Sequence, residues 1–154
     1  IKEKYNVKVY IEPGEAVALN AGYFITTVLD KVKNSGITCL ILDGSAACHM
    51  PDVLEMPYTP PLSEGSIIET PEKEFDYRLG GNTCLAGDII GNYRFDHDVQ
   101  IGERLTFGDM AIYSMVKNNT FNGIPLPSIY SMDRNGDCRL IKSFGYNDFK
   151  ERLS

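Results

Sequence analysis

The sequence is poor in the residues that mark several functional classes. It holds two histidines, His49 and His97, and four cysteines, Cys39, Cys48, Cys84 and Cys138, in 154 residues. The cysteines lie 9, 36 and 54 residues apart. No CxxC pair exists, so a zinc ribbon or a thioredoxin-type motif has no support, and no metal site is expected. Four cysteines are also too sparse for a secreted disulfide scaffold. The longest apolar run, AVALNAGYFITTVL at 16–29, carries Asn20, Thr26 and Thr27 and falls short of the ~20 apolar residues that span a bilayer. No repeat, low-complexity tract or signal peptide is visible, and a reducing, cytoplasmic setting without membrane contact is the expectation. Positive charge is in deficit: 15 basic against 21 acidic residues leave a net charge of −6. A surface of that sign repels phosphate backbones and argues against sequence-independent nucleic-acid binding, while it suits a cationic small molecule.

What is present is ordinary for a soluble globular chain, with 43% hydrophobic and 23% charged residues, enough for one domain with an appended piece. The chain begins at Ile1 directly before a strand-like pattern, and on that ground it is expected to be part of a longer protein. Val7, Val9, Tyr10 and Ile11 suggest a buried strand that ends at Pro13-Gly14. Glu15 then opens a short helix, its carboxylate suited to the first turn, and a long strand follows it within 23–32. This strand–loop–helix unit is of the α/β kind.

The remaining signals are mostly β. NSG (34–36) is a hairpin turn leading into the apolar strand ITCLILDG (37–44). PDVLEM (51–56) suits one helical turn with Pro51 at its start, and the prolines of PYTPPLSEGS (57–66) demand a loop. Strands are expected at 74–80, 88–96, 104–110 and 111–116. A last hairpin spans 127–145 and turns at Asn135-Gly136. A short helix over 147–153, capped by Asn147, closes the chain. The fold expected is mainly β, a sandwich or barrel, behind one α/β unit.

Four segments could carry chemistry, each with a plainer structural alternative. IEPGEA (11–16) puts Glu12 at a strand end, with the amides of Gly14 and its neighbours beyond it. It suits a cofactor ring and its phosphate, or simply a capped turn. GGNTCLAGDII (80–90) surrounds Cys84 with glycines beside Asp88, which suits an accessible proton-donating thiol or a small cysteine in a β-turn. GSAACHMPDVLEMPY (44–58) clusters His49, Asp52 and Glu55 near Tyr58 and could receive an amine, or be a capped turn with a surface face. FGDMAIYSMVKNNTFNG (107–123) offers Tyr113 to a phosphate or to the core.

The strings IEPGEAVALNAGY (11–23), CHMPDVLEMPY (48–58), CLAGDIIGNY (84–93), FNGIPLP (121–127) and FGYNDFKERLS (144–154) occur in one order from end to end of the chain. Together they resemble the C-terminal part of the fold-type III pyridoxal-phosphate decarboxylases, the alanine-racemase-like class that includes the ornithine and diaminopimelate enzymes. The likeness is strongest to the branch acting on carboxylated triamines.

The resemblance implies a C-terminal β domain, residues 24–154, behind the last unit (1–23) of a (β/α)8 barrel that is otherwise absent and that carries the Schiff-base lysine. A homodimer would share its active sites, and this piece alone would be inactive. By the same likeness, Glu12 would meet the pyridine nitrogen of pyridoxal 5′-phosphate, with Gly14 and Tyr113 at its phosphate. Cys84 would donate a proton in the partner's site and Asp88 would help receive the distal ammonium of a polyamine substrate, to which the residue pattern at 44–58 adds Asp52, Glu55 and His49. Carboxynorspermidine or carboxyspermidine would lose carbon dioxide in polyamine biosynthesis. Two positions depart from the ornithine branch: Glu15 stands where that branch has arginine after EPG, and Leu85 where it has aspartate after the cysteine. The alternatives are a non-catalytic binding or dimerisation module, or the same fold acting on diaminopimelate, ornithine or arginine.

Overall fold

A computed structural model describes residues 1–153. A helical turn, α1 (Lys2–Tyr5), leads into an extended stretch and then a second turn, α2 (Glu15–Ala18), that opens on Glu15 as the sequence suggests. The expected strand at 6–11 does not form: Val7, Val9, Tyr10 and Ile11 are all exposed. Apolar alternation supplies a surface to bury, but a strand also needs a neighbour for its backbone N–H and C=O groups. No strand of the described residues lies beside this segment.

The body of the chain is a six-stranded sheet in the order β3-β5-β4-β2-β1-β6. Its strands are β1 (Phe24–Asn34), β2 (Ile37–Leu42), β3 (Ser66–Ile67), β4 (Asp76–Gly80), β5 (Ile89–Arg94) and β6 (Arg104–Phe107). β1 and β2 form the expected hairpin, with Asn34 opposite Ile37. Ser35 and Gly36 both take positive φ, 51° and 85°, the handedness that matches the right-handed strand twist. β2 and β4 run parallel and all other pairs antiparallel.

The proline-rich connection does more than link elements. Leu62 bridges Phe107, Ser63 N donates to Thr106 O at 3.0 Å, and Gly108 N donates to Pro61 O at 2.8 Å. A few residues on, Ser66 and Ile67 pair with Arg94 and Tyr93 of β5. Residues 61–67 therefore join the two outer edges and curl the sheet towards a barrel, which removes edges that would otherwise stay unpaired. Inside lie Val28, Leu40, Leu42, Tyr77, Leu79, Leu105 and Phe107. The buried Tyr93 hydroxyl donates to Pro60 O at 2.7 Å.

The strand expected at 111–116 is instead a helical turn, α5 (Tyr113–Val116). The edge of β6 is already taken by 61–63, and Asp109, at φ 56°, turns the chain away. Two further turns, α3 (Ala46–His49) and α4 (Asp52–Glu55), follow β2, the second beginning after Pro51 as expected. The last hairpin forms a separate two-stranded sheet, β7 (Ile129–Met132) and β8 (Cys138–Lys142). Gly136 sits at φ 89° in its turn, and Asp133 Oδ1 accepts from Asn135 N and Asp137 N. The closing helix α6 (Tyr146–Leu153) starts one residue before Asn147, so Asn147 is not its cap; Asp148 Oδ2 accepts from Gly145 N at 2.7 Å instead.

One ion pair locks β4 to β5 away from the site. Arg94 donates to both oxygens of buried Asp76, at 2.7 and 2.9 Å, and Asp76 Oδ2 also accepts from the amides of Glu72 and Lys73. The Arg94 guanidinium, helped by those amides, holds the Asp76 carboxyl far below the usual carboxylate range. A depressed carboxyl stabilises the fold fully above its unfolded value, near pH 4, and loses that contribution as the pH falls towards the folded value. Thermal unfolding of the protein and Asp76→Asn across pH 6 to about 2 should therefore show a stability gap that is constant above about pH 4 and shrinks below it.

Candidate functional site

The sheet gathers the chemically interesting segments at one end. Phe24 pairs with Phe107, Val28 with Leu42, Ile41 with Gly80, and Gly80 with Ile89. The start of β1 and β5 and the finish of β2, β4 and β6 thus lie together, and α3, α4, α5 and the Cys84 loop all spring from that end.

Asp88 organises one half of it. The residue is 3% exposed. Its Oδ1 accepts from Ala47 N at 3.1 Å, its Oδ2 from Thr83 Oγ1 at 2.6 Å and Thr83 N at 3.3 Å, and the Ser45 hydroxyl lies 3.0 and 2.9 Å from the two. Gly81 N donates to Asp88 O at 2.9 Å, and Asp88 N to Leu85 O at 2.9 Å. A Cβ at Gly81 would stand 2.2 Å from Asp88 Oδ2, so only glycine lets the loop close over the carboxylate. The outcome is a fixed turn whose crown carries Cys84, an exposed free thiol.

Ser45 extends the same network. It caps α3 by accepting from Cys48 N at 3.2 Å, and its own N–H donates to His49 Nδ1 at 3.2 Å. His49 is therefore the Nε2–H tautomer, donating to Pro125 O at 3.0 Å. Burial pushes its imidazole below the ordinary histidine value and keeps it neutral. Cys48 is buried as well, and burial pushes its thiol up.

The other half centres on α4 and α5. Asp52, 7% exposed, accepts from the Tyr58 hydroxyl at 2.7 Å through Oδ2, whereas its buried Oδ1 has no partner. Burial and this bond push the Tyr58 phenol well above its usual value. Glu55 accepts a hydrogen bond from Lys117, whose ammonium lies 5.2 Å from the centroid of the Tyr113 ring. Asn119 ties the segment down, donating from N to Cys48 O at 3.0 Å and from Nδ2 to Ala47 O at 2.7 Å. On the same side, Asn20 N donates to Asp109 Oδ1 and Met110 N to Gly22 O, both at 2.9 Å, docking the stretch after α2 beside α5. Glu12 and Gly14 precede α2 and are exposed, and a Cβ at Gly14 would meet nothing within 4 Å.

Residues 8–111 match the model of the pyridoxal-dependent decarboxylase C-terminal sheet domain. The chain belongs to this family. It is 43% identical, over 96% of its length, to carboxyaminopropylagmatine decarboxylase of Synechocystis, and 42% identical, over 97%, to carboxynorspermidine/carboxyspermidine decarboxylase of Campylobacter jejuni. It covers 38% and 41% of those two proteins. The crystal structure of the Campylobacter jejuni carboxynorspermidine decarboxylase with norspermidine superposes at a TM-score of 0.86, with 41% identity, over 98% of this chain and 43% of that one. The chain thus spans about two-fifths of the length of these relatives. Among the described residues no helix is long and apolar enough to cross a membrane, and no group of three metal-ligating side chains occurs.

Within the family frame, the expectations for individual residues divide. Glu55, Asp52 and Tyr113 come together around Lys117, and Cys84 stands exposed on a built loop. Asp88 and His49 need correction: neither is placed to receive an amine. Both Asp88 oxygens are filled by Ser45, Ala47 and Thr83, and both His49 nitrogens by Ser45 and Pro125, so each holds backbone rather than ligand. Sequence reasoning missed Ser45 and Thr83. The one available signal was the serine ahead of AACH, an N-cap position.

The Asp88 clamp yields a direct test. Gly81→Ala must drive a methyl group into the carboxylate, and Asp88→Ala leaves the buried Ser45 hydroxyl and the part-buried donors of Thr83 and Ala47 without their acceptor. Each should lower the unfolding free energy of the complete protein by about 2–4 kcal/mol, measured by urea denaturation, while Gly87→Ala, whose Cβ meets nothing within 4 Å, should cost under about 1 kcal/mol.

Proposed function

We propose that this chain is the sheet domain of a pyridoxal-phosphate-dependent decarboxylase of carboxylated polyamines, converting carboxynorspermidine or carboxyspermidine to norspermidine or spermidine and carbon dioxide. The activity is that of the whole enzyme, in which a barrel domain supplies the Schiff-base lysine. The observation that carries the reading is the exposed Cys84 thiol on a loop fixed by Asp88, at the same sheet end as an acidic, aromatic-lined cation seat. Identities of 42–43% to two decarboxylases of carboxylated polyamines support the substrate class. A second reading, carboxyaminopropylagmatine, rests on the 43% identical relative.

The free polar groups fit the cofactor. Glu12 offers an unpaired carboxylate to a pyridinium N–H, and Tyr113, half exposed with its hydroxyl unengaged, offers a donor to a phosphate oxygen beside the open backbone at Gly14. When bound, the cofactor supplies an electron sink for the carbanion left by departing carbon dioxide. The chain's own part is then proton delivery: as the Cα–carboxylate bond breaks, the Cys84 thiol gives its proton to Cα and is reprotonated by solvent. Asp88 keeps Cys84 in place without touching substrate. We place this thiol in the neighbouring subunit's site of a homodimer, in the reducing cytoplasm, where a free cysteine persists.

Turnover by the complete protein of carboxyspermidine, carboxynorspermidine, carboxyaminopropylagmatine, ornithine and diaminopimelate tests the reading. One of the two carboxylated triamines should have the highest kcat/KM; preference for ornithine or diaminopimelate overturns the class, and preference for carboxyaminopropylagmatine selects the second reading. Cys84→Ala should reduce kcat by about 10²-fold or more, the usual worth of a positioned proton donor, and impair product fidelity. Near-normal turnover with clean product removes Cys84 from the chemistry.

A further inference from the structure

The cation seat at α4 and α5 is filled by the chain's own lysine. Lys117 donates to Glu55 Oε2, and its ammonium stands 5.2 Å from the Tyr113 ring centroid, within reach of a cation–π attraction. Asp52 lies one turn before Glu55, on the same helix face. Its Oδ2 is occupied by Tyr58, but its Oδ1, in a side chain 7% exposed, has no hydrogen-bond partner at all. A buried carboxylate oxygen left unpaired is costly. Glu55 and Lys117 are both partly open to solvent, with side-chain exposures of 54% and 37%. An ion pair of that kind contributes little and exchanges readily.

The charge count is uneven. Two carboxylates act on one resident cation, and the exposed ring of Tyr113 suits a second ammonium or its methylene chain. From this geometry we infer that Lys117 is a specificity-determining residue that occupies the seat of a substrate ammonium, and that a polyamine displaces it from Glu55 and the Tyr113 ring. The inference rests on the functional reading above and sharpens it. A ligand with a single distal ammonium exchanges like for like with Lys117 and leaves Asp52 Oδ1 unpaired. A triamine brings two, one to replace Lys117 at Glu55 and one to lie against the Tyr113 ring in the field of the Asp52 carboxylate, and so outcompetes the tethered lysine where a diamine does not. The lysine thus acts as an internal competitor that sets a minimum number of charges on the ligand.

The test uses the complete, cofactor-loaded protein and two readouts, calorimetric titration with spermidine and KM for carboxyspermidine. Lys117→Met should lower the spermidine Kd by about threefold to tenfold and lower KM in parallel, since it removes a competitor of the strength expected for an exposed pair. Putrescine should gain more than spermidine from this substitution, because the diamine suffers most from the competition. Glu55→Gln should raise the spermidine Kd at least about tenfold, and adding Lys117→Met to it should change nothing further, the signature of two residues acting through one contact. Lys33→Met removes the same charge at the far tip of the β1–β2 hairpin and should leave the Kd within about twofold, as distant sites do not couple. An unchanged or raised Kd in Lys117→Met, an equal fall in Lys33→Met, or additive effects in the double variant overturns the proposal. Should the protein turn over no carboxylated polyamine, the functional reading fails, while the spermidine titrations still decide whether Lys117 guards a polyamine seat.

Discussion

The buried carboxylate of Asp88 is the contact on which the rest of this sheet end depends. Taking a charge out of water is tolerated only when donors replace the water, and here the donors come from Ser45 three residues past β2, from the first turn of α3 and from the loop after β4. One side chain therefore sets where three segments lie. Ser45 must point its hydroxyl at Asp88, which fixes the N-cap of α3. The Ser45 amide then fixes the ring of His49, and His49 in turn reaches Pro125. Gly81 must lack a Cβ for the loop to close. The exposed thiol of Cys84 owes its position to this inward-facing network.

The division between filled and open surface follows the same line. Within the curled sheet the buried carboxylate of Asp88 and the hydroxyl of Tyr93 find partners, Thr26 Oγ1 does not, and the core's apolar side chains are enclosed. Before β1 the chain is the reverse: Val7, Val9, Tyr10, Ile11, Val17 and Leu19 are exposed, as are Glu12 and Gly14. The polar groups proposed to meet the cofactor at Glu12 and Gly14 therefore sit on the open side, and those that build the scaffold sit on the closed side. This is the distribution expected where catalytic groups are carried by connections on a rigid sheet.

Much of this was legible in the residues. The 34–36 and 135–136 turns, the helical turn after Pro51, the strands around 76–80 and 89–94 and the mainly β character all follow from local signals, because turn residues with positive φ and alternating apolar residues act over a few positions. Failures arose where tertiary context decided. The stretch at 6–11 has strand residues but no strand beside it, and 111–116 has β-branched and aromatic residues but an edge already occupied. The site shows the same split. Cys84, Glu55 and Tyr113 were nominated by type and surroundings. Asp88 was nominated by the family likeness and His49 by its acidic neighbours in the sequence, and whether a buried carboxylate faces a ligand or its own backbone depends on Ser45 and Thr83, 43 and 5 residues away.

The acidity of the chain also has a different meaning at two scales. A net charge of −6 attracts any cation from a distance, does so less at physiological salt, and cannot tell an amino acid from a triamine. Much of that charge is engaged locally: Asp76 on Arg94, Asp98 on Lys31 and Tyr77, Asp96 and Glu103 on His97. Asp88 is consumed by backbone and hydroxyl donors. Asp52 stands apart among the buried carboxylates, since one of its oxygens has no donor, and it lies beside a carboxylate whose partner is an exposed, exchangeable lysine. Discrimination between ligands has to come from an imbalance held at short range, and among the described residues the imbalance sits at α4 and α5.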